Sequence, residues 1–418
     1  MYEMITLPNG VRIVTQPVPA VRTAAVGVFV GTGSRHESAK ENGAAHFLEH
    51  MAFKSTLTRS TDRLAMDIDS IGGQMNAYTT KESTCFYTRC LDLHLPRAIE
   101  LLGDMLLNGA FLEEEVDTER GVILEEIGMY RDTPEDLVNE LLNAAVYKGH
   151  SLARPILGTR RTLSAMTGAW LRDYRRSHYL PHKIVISLAG SFTQSDVEQL
   201  KNLFSTLTPG KEPRVRAAQY CPAVTVRRKA IEQNHIIIGF PAPSFLDDRR
   251  YQMTLLSSIL GGGVSSRLFQ QVREQQGLCY TVYSYISDHE DTGLLGLYTA
   301  LSPQTEDKAL STICRVAAEM AEHGPTADEL DRAREQAKAN VLMGLESTQA
   351  RMSHAGNSML LRGKVSSPDE ILAAYDAVTA RQLRDLAGEV LDFSRASVSA
   401  VGRVRTGEDY QSNLTRFL

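Results

Sequence analysis

His46-Phe47-Leu48-Glu49-His50 reads H-x-x-E-H. Imidazoles four residues apart on a helix share one face, so both can reach a single metal ion. Glu49 lies three residues after His46, beside the metal position rather than on the far side of the helix. A carboxylate there can polarise a metal-held water without being a ligand itself. The order mirrors the H-E-x-x-H metal motif. Taken alone, the same five residues also fit a helix with two solvated or capping histidines, so the metal reading depends on a further carboxylate elsewhere in the chain.

The acidic stretch 113–126, which reads E-E-E-V-D-T-E-R-G-V-I-L-E-E, has helical character. Glu119 and Glu126 are seven residues apart, two turns, and share a face. Ile123 lies between them on that face, which predicts that the face is turned inward. The plainer alternative is a solvated acidic helix. Glu125 competes with Glu126 as a ligand, but its side chain points about 100 degrees away.

Three segments together are more specific. H-F-L-E-H-M-A-F-K-S-T (46–56), G-G-Q-M-N-A-Y-T-T (72–80) and E-R-G-V-I-L-E-E-I (119–127) resemble the insulinase/pitrilysin family of zinc metallopeptidases. Within it, the bacterial members similar to the mitochondrial processing peptidase β subunit are the nearest in appearance. The resemblance runs over nearly the whole chain. It implies one Zn2+ per chain held by His46, His50 and Glu126, with Glu49 as general base and Glu119 orienting the ligands. Two neutral imidazoles and one carboxylate leave a fourth zinc position for water.

The resemblance also places the strand around Asn76 and Ala77 at a sheet edge, where it would pair with an extended peptide substrate. As bare sequence that stretch is an ordinary strand, and Phe53 and Tyr78 read as core. Arg273 and Tyr280, seven residues apart, match a family pair. Arg273 would bind a substrate carbonyl and Tyr280 would donate to the oxyanion. Their own segment, 265–280, reads as an amphipathic helix ending at Gly277. By the same analogy two chains form a homodimer in which the partner supplies this pair.

The rest of the chain sets bounds. Its 418 residues suggest two to four compact domains. A hydrophobic content of 43% and a charged content of 23% fit a globular protein with a sizeable core. A net charge of -5 argues against a nucleic-acid binder. No apolar run reaches membrane-spanning length, and Ala24–Val30 is strand-sized. Met1-Tyr2-Glu3-Met4 has no basic signal-peptide region. Cys85, Cys90, Cys221, Cys279 and Cys314 are scattered and form no C-x-x-C pair, which fits free thiols in a cytoplasmic protein. Cys279 reads as structural. Gly261-Gly262-Gly263 lacks the Lys and Ser/Thr of a phosphate loop and reads as a turn.

The two halves look like copies. Ala24–Val30 parallels His235–Phe240, and each leads through a turn into a long helix. Thr167 and Thr379 each read as the N-cap of a helix that leads to a closing strand. The fold expected is α+β, with two homologous domains, each a mainly antiparallel sheet covered by helices. The boundaries expected are 1–208 for the zinc-binding domain, 209–228 for a linker and 229–418 for the second domain, which carries the Arg/Tyr pair. The function expected is a zinc endopeptidase acting on unfolded or presequence-like peptides. The alternative is a non-catalytic scaffold or assembly subunit, which the intact set His46, Glu49, His50, Glu126, Arg273 and Tyr280 argues against.

Overall fold

Short apolar runs broken by glycine, proline and asparagine form two separate sheets in the computed structural model, which describes Tyr2–Phe417. The first contains β1 (Glu3–Thr6), β2 (Arg12–Pro17), β3 (Thr23–Val30), β4 (Gln74–Thr79), β5 (Thr84–Leu91) and β6 (Ile184–Gly190). The second contains β7 (Val224–Arg228), β8 (Asn234–Ala242), β9 (Thr281–Asp288), β10 (Gly293–Leu301) and β11 (Ser397–Gly402). Their orders are β1-β2-β6-β3-β5-β4 and β7-β11-β8-β10-β9. Without β1 the two orders are the same. In each sheet the counterpart pair, β2 with β6 and β7 with β11, is parallel and the remaining pairs are antiparallel. The repeat legible in the sequence is therefore a repeat of topology, and the α+β class holds.

β3 is buried from Ala24 to Val30, which requires cover on both faces of its sheet. One face packs on helices including Leu95–Leu107, through Val26, Val28, Ile99 and Leu102. The other carries Val14, Ala25, Phe29, Val185 and Ala189, which pack on Met352, Ala355 and Met359 of the helix Thr348–Arg362. This approach is close: a Cβ added at Gly356 would stand 2.1 Å from the Phe29 ring, and one at Gly27 would stand 2.4 Å from Met352 Sδ. In the second sheet, Ile237, Leu294, Tyr298 and Val401 pack in the same manner on Val138, Leu142 and Val146 of the helix Pro134–Val146.

The covering helices change the expected boundaries. One unit comprises Met1–Ile127, Arg154–Val215 and Met343–Ser366; the other comprises Gly128–Ala153, Arg216–Leu342 and Ser367–Leu418. A single cut at 209–228 does not separate them, because each sheet takes the cover of one face from the opposite half of the sequence. The segment 209–213 itself lacks regular structure.

Other local expectations hold. Thr167 accepts from Trp170 N and Thr379 from Gln382 N as helix caps. Gly261 closes the helix Arg250–Gly261. The segment before Gly277 differs from a plain α-helix: Phe269–Glu274 is a π-turn, with Gln275 N bonded to Gln270 O at 2.9 Å. Among the described residues no helix is long and apolar enough to cross a membrane.

Candidate active site

The motif lies on the helix Ala44–Met51, with Ala44, Ala45, Phe47 and Leu48 buried. Its N-terminus is held by a residue outside it. Glu37, 3% exposed, accepts from Gly43 N at 2.8 Å and Asn42 Nδ2 at 3.2 Å through Oε2, and from Ala45 N at 2.9 Å through Oε1. A carboxylate there satisfies otherwise orphaned N–H groups and complements the helix dipole. Burial pushes the Glu37 carboxyl up to about 7, against the pull of those donors and of Arg154. Gly43 has φ +97, and a Cβ on it would meet Gly158 Cα and Leu157 O at 2.8 Å, so the turn into the helix requires glycine.

The acidic stretch is the helix Glu113–Asp132, with Glu119 and Ile123 buried as the shared face predicts. His46, His50 and Glu126 each offer one ligand atom, and the three atoms lie within 4.8 Å of one another. Glu126 Oε2 is 3.6 Å from His46 Nε2 and 3.5 Å from His50 Nε2. Glu125 is exposed and lies outside this group. On the other side of the His50 ring, Nδ1 meets Glu119 Oε1 at 2.7 Å. Burial and the neighbouring His50 push the His46 imidazole down to about 4. Burial also pulls His50 down, but the Glu119 and Glu126 carboxylates outweigh it and lift the ring to about 9.

Glu49 is half-buried beside this cluster, and burial raises its carboxyl against a hydrogen bond from Thr79. That bond, Thr79 Oγ1 to Glu49 Oε2, measures 2.5 Å and comes from β4, an edge strand of its sheet. Asn76 and Ala77 lie on the same strand. The Ala77 N–H turns to Asn76 Oδ1 at 2.8 Å rather than to a neighbouring strand. Tyr78 and Phe53 pack against the cores, as read from the sequence.

Comparison with known proteins fits this geometry. The family described as "Insulinase (Peptidase family M16)" matches residues 12–160, and "Peptidase M16 inactive domain" matches 165–337. The uncharacterized zinc protease YmxG of Bacillus subtilis is 40% identical over 97% of this chain and 100% of its own. An uncharacterized zinc protease of Streptomyces coelicolor is 41% identical over 96% of this chain and 89% of its own.

The chain belongs to the M16 peptidase family.

Solved structures agree on the fold of this M16 peptidase chain. A peptidase M16 inactive domain from Pseudomonas fluorescens superimposes with a TM-score of 0.90 at 18% identity, covering 97% of this chain and 98% of its own. A protease from Helicobacter pylori gives 0.89 at 20% identity, covering 96% and 99%.

The residues present fit the zinc that the family implies. Two ligands, each about 2.1 Å from a tetrahedral ion, stand roughly 3.4 Å apart, close to the 3.5 and 3.6 Å between Glu126 and the imidazoles. Glu126 Oε2 is buried and makes no close hydrogen bond, its neighbours being the two imidazole Nε2 atoms, the placement of an atom that shares a cation with them. The second unit has no comparable group among its described residues. Its predicted pair is nevertheless brought together: the Arg273 guanidinium lies 4.8 Å from the Tyr280 ring centre and 4.6 Å from that of Phe269. Tyr280 is 73% exposed. Four of the five cysteines are buried and all are free; burial raises the Cys279 thiol.

Sequence reasoning missed three residues at this M16 site: Glu37, Thr79 and Lys54, whose Nζ meets Glu119 Oε2 at 2.5 Å. Lys54 had a visible signal, since it follows His46 and His50 at the same four-residue interval. Thr79 lay in a quoted motif, but its role needs the position of β4 against the motif helix. Glu37 had no signal of its own.

Proposed function

We propose that the chain is a zinc-dependent endopeptidase acting on extended, unfolded segments such as presequence-like peptides. The observation that carries this reading is the convergence of His46, His50 and Glu126 beside a carboxylate, Glu49, that an edge strand holds in place. His46 and His50 would ligate through Nε2 and Glu126 through Oε2. Bound zinc supplies Lewis acidity toward water and a peptide carbonyl.

The protein's own residues do the remaining work. Glu49 takes the proton of the attacking water and delivers it to the leaving amine. Glu119 accepts from His50 Nδ1 and so fixes the tautomer that leaves Nε2 free. β4 pairs with the substrate backbone as an added strand. The Ala77 N–H, now closed on Asn76, becomes one of its donors. Arg273 binds a substrate carbonyl, and the Tyr280 hydroxyl donates to the developing oxyanion. In a homodimer this pair would come from the second copy, and a cytoplasmic setting suits the free thiols. The intact ligand set and Glu49 support an enzyme over a scaffold subunit.

The test uses a quenched fluorogenic peptide library, with zinc content measured beside Glu49→Gln. Wild type that cuts, loses activity to a chelator and regains it with zinc, beside a variant that holds zinc and does not cut, supports the reading. Wild type that holds zinc and cuts nothing favours the scaffold.

A further inference from the structure

The candidate metal cluster is supported one layer further out than its ligands and their immediate partner. After the motif helix ends at Met51, the chain continues in a tight turn, with Phe53 N bonded to His50 O and Lys54 N to Met51 O, each at 3.2 Å. The turn preserves the four-residue interval, and Lys54 arrives beside His50. Its Nζ meets Glu119 Oε2 at 2.5 Å, while Oε1 of the same carboxylate meets His50 Nδ1 at 2.7 Å. The Glu119 side chain is 8% exposed, so both its oxygens are committed within the protein.

A glutamate carboxylate rotates over a broad, two-fold well about its last torsion. With one oxygen on the imidazole and none on a cation, it can turn or swing off the ring. An ammonium on the second oxygen removes that freedom. Besides the His50 ring, Lys54 is the basic side chain paired with Glu119 among the described residues. We propose that Lys54 is a positioning residue for the metal centre: it fixes the Glu119 carboxylate, which fixes the His50 ring. The inference rests on the reading that His46, His50 and Glu126 hold zinc.

The turn carrying Lys54 does not need its ammonium to keep its shape. Ser55 Oγ donates to Glu115 Oε1 at 2.5 Å, Thr61 Oγ1 donates to the same oxygen at 2.6 Å, and Thr56 N bonds Arg59 O at 2.9 Å. Removing the charge should therefore act on the metal centre and leave the fold in place.

The experiment titrates zinc into the metal-free full-length protein against a chromogenic chelator, for wild type, Lys54→Met, Lys54→Arg, Glu119→Gln and Glu126→Ala. Residues that orient ligands are typically worth 10–100-fold in metal affinity. Lys54→Met is expected to weaken zinc by roughly 10-fold, Lys54→Arg to recover most of that loss, and the metal-free variants to keep the wild-type far-ultraviolet circular dichroism spectrum. With zinc below saturation, Lys54→Met should lower kcat and leave KM unchanged. Wild-type zinc affinity in Lys54→Met beside a weakened Glu119→Gln overturns the inference. So does an Arg variant no better than Met. Wild-type affinity in Glu126→Ala overturns instead the ligand assignment on which it rests.

Discussion

Thr79 Oγ1 donates to Glu49 Oε2 at 2.5 Å, which ties the last residue of the edge strand β4 to the carboxylate beside the ligand cluster. In the proposed reaction the substrate backbone and the general base are thus referred to one element. A peptide that adds to β4 is placed in depth and register against the group that moves its proton.

Thr79→Val keeps the shape of the side chain and deletes the donor. Without it Glu49 keeps its place less firmly and loses a partner that favours its ionised form. The expected result is a fall in kcat of about 10-fold, in line with the loss of one charge-assisted hydrogen bond, with full zinc content. Peptide cleavage beside metal analysis checks it, and an unchanged kcat would count against the link between strand and base.

The Ala77 N–H faces away from the sheet ladder and closes on Asn76, so proline is sterically admissible there as it is on other edge strands. Ala77→Pro removes a substrate donor without removing a ladder bond. One lost hydrogen bond of about 1 kcal/mol raises KM roughly 5-fold, and kcat should move little. Steady-state kinetics on an extended peptide separates the two.

Tyr280→Phe retains the ring against which Arg273 lies and deletes the hydroxyl. Loss of an oxyanion donor costs roughly 100- to 1000-fold in kcat, and zinc binding should be untouched. In a homodimer whose partner supplies this residue, mixing and reassociating Tyr280→Phe with Glu49→Gln chains should restore activity that neither variant has alone. No restoration in verified mixed dimers would place the pair on the same chain as its zinc, or outside catalysis.

Glu37 carries a pH signature. Burial lifts its carboxyl from the ordinary 4.5 to about 7. Between those values the folded chain holds a proton that the unfolded chain has released, so folding stability falls as pH rises through the window and stays lower above it. Glu37→Gln cannot ionise. Whatever fixed cost the amide brings at the helix N-terminus, the gap between the two proteins should move toward the variant by up to about 3 kcal/mol from below 4.5 to above 7. Urea melts of metal-free protein across that range test it. Parallel curves would mean that Glu37 ionises as an ordinary carboxyl.

Much of the site was legible because helix periodicity is local. The spacing of His46, Glu49 and His50 fixes which side chains share a face, and the seven-residue interval from Glu119 to Glu126 does the same on the acidic helix. Strand runs such as Ala24–Val30 and caps such as Thr167 also depend on near neighbours. What was not legible depends on distant ones. The bond from Thr79 to Glu49 needs the register of β4 on β5. The three donors converging on Glu37 are set by a turn with a left-handed Gly43. The π-turn at Phe269–Glu274 differs from an α-helix by a single shifted bond that residue spacing does not reveal. The helices Pro134–Val146 and Thr348–Arg362 show apolar faces in the sequence, yet nothing in an apolar face says which sheet it will cover.

The helix Thr348–Arg362 is synthesised last of the elements that enclose the first sheet. While the chain leaves the ribosome, β1 to β6 are all present well before Thr348–Arg362 has been synthesised. Until it arrives, Val14, Ala25, Phe29, Val185 and Ala189 have no cover. A nascent chain with such a face is a client for a holding chaperone, and a truncated messenger yields a product prone to self-association. Fragments ending between the two sheets should stay insoluble alone and regain structure only when the complementary fragment is supplied with them. Reciprocal loan of one helix makes maturation of either sheet contingent on nearly complete translation.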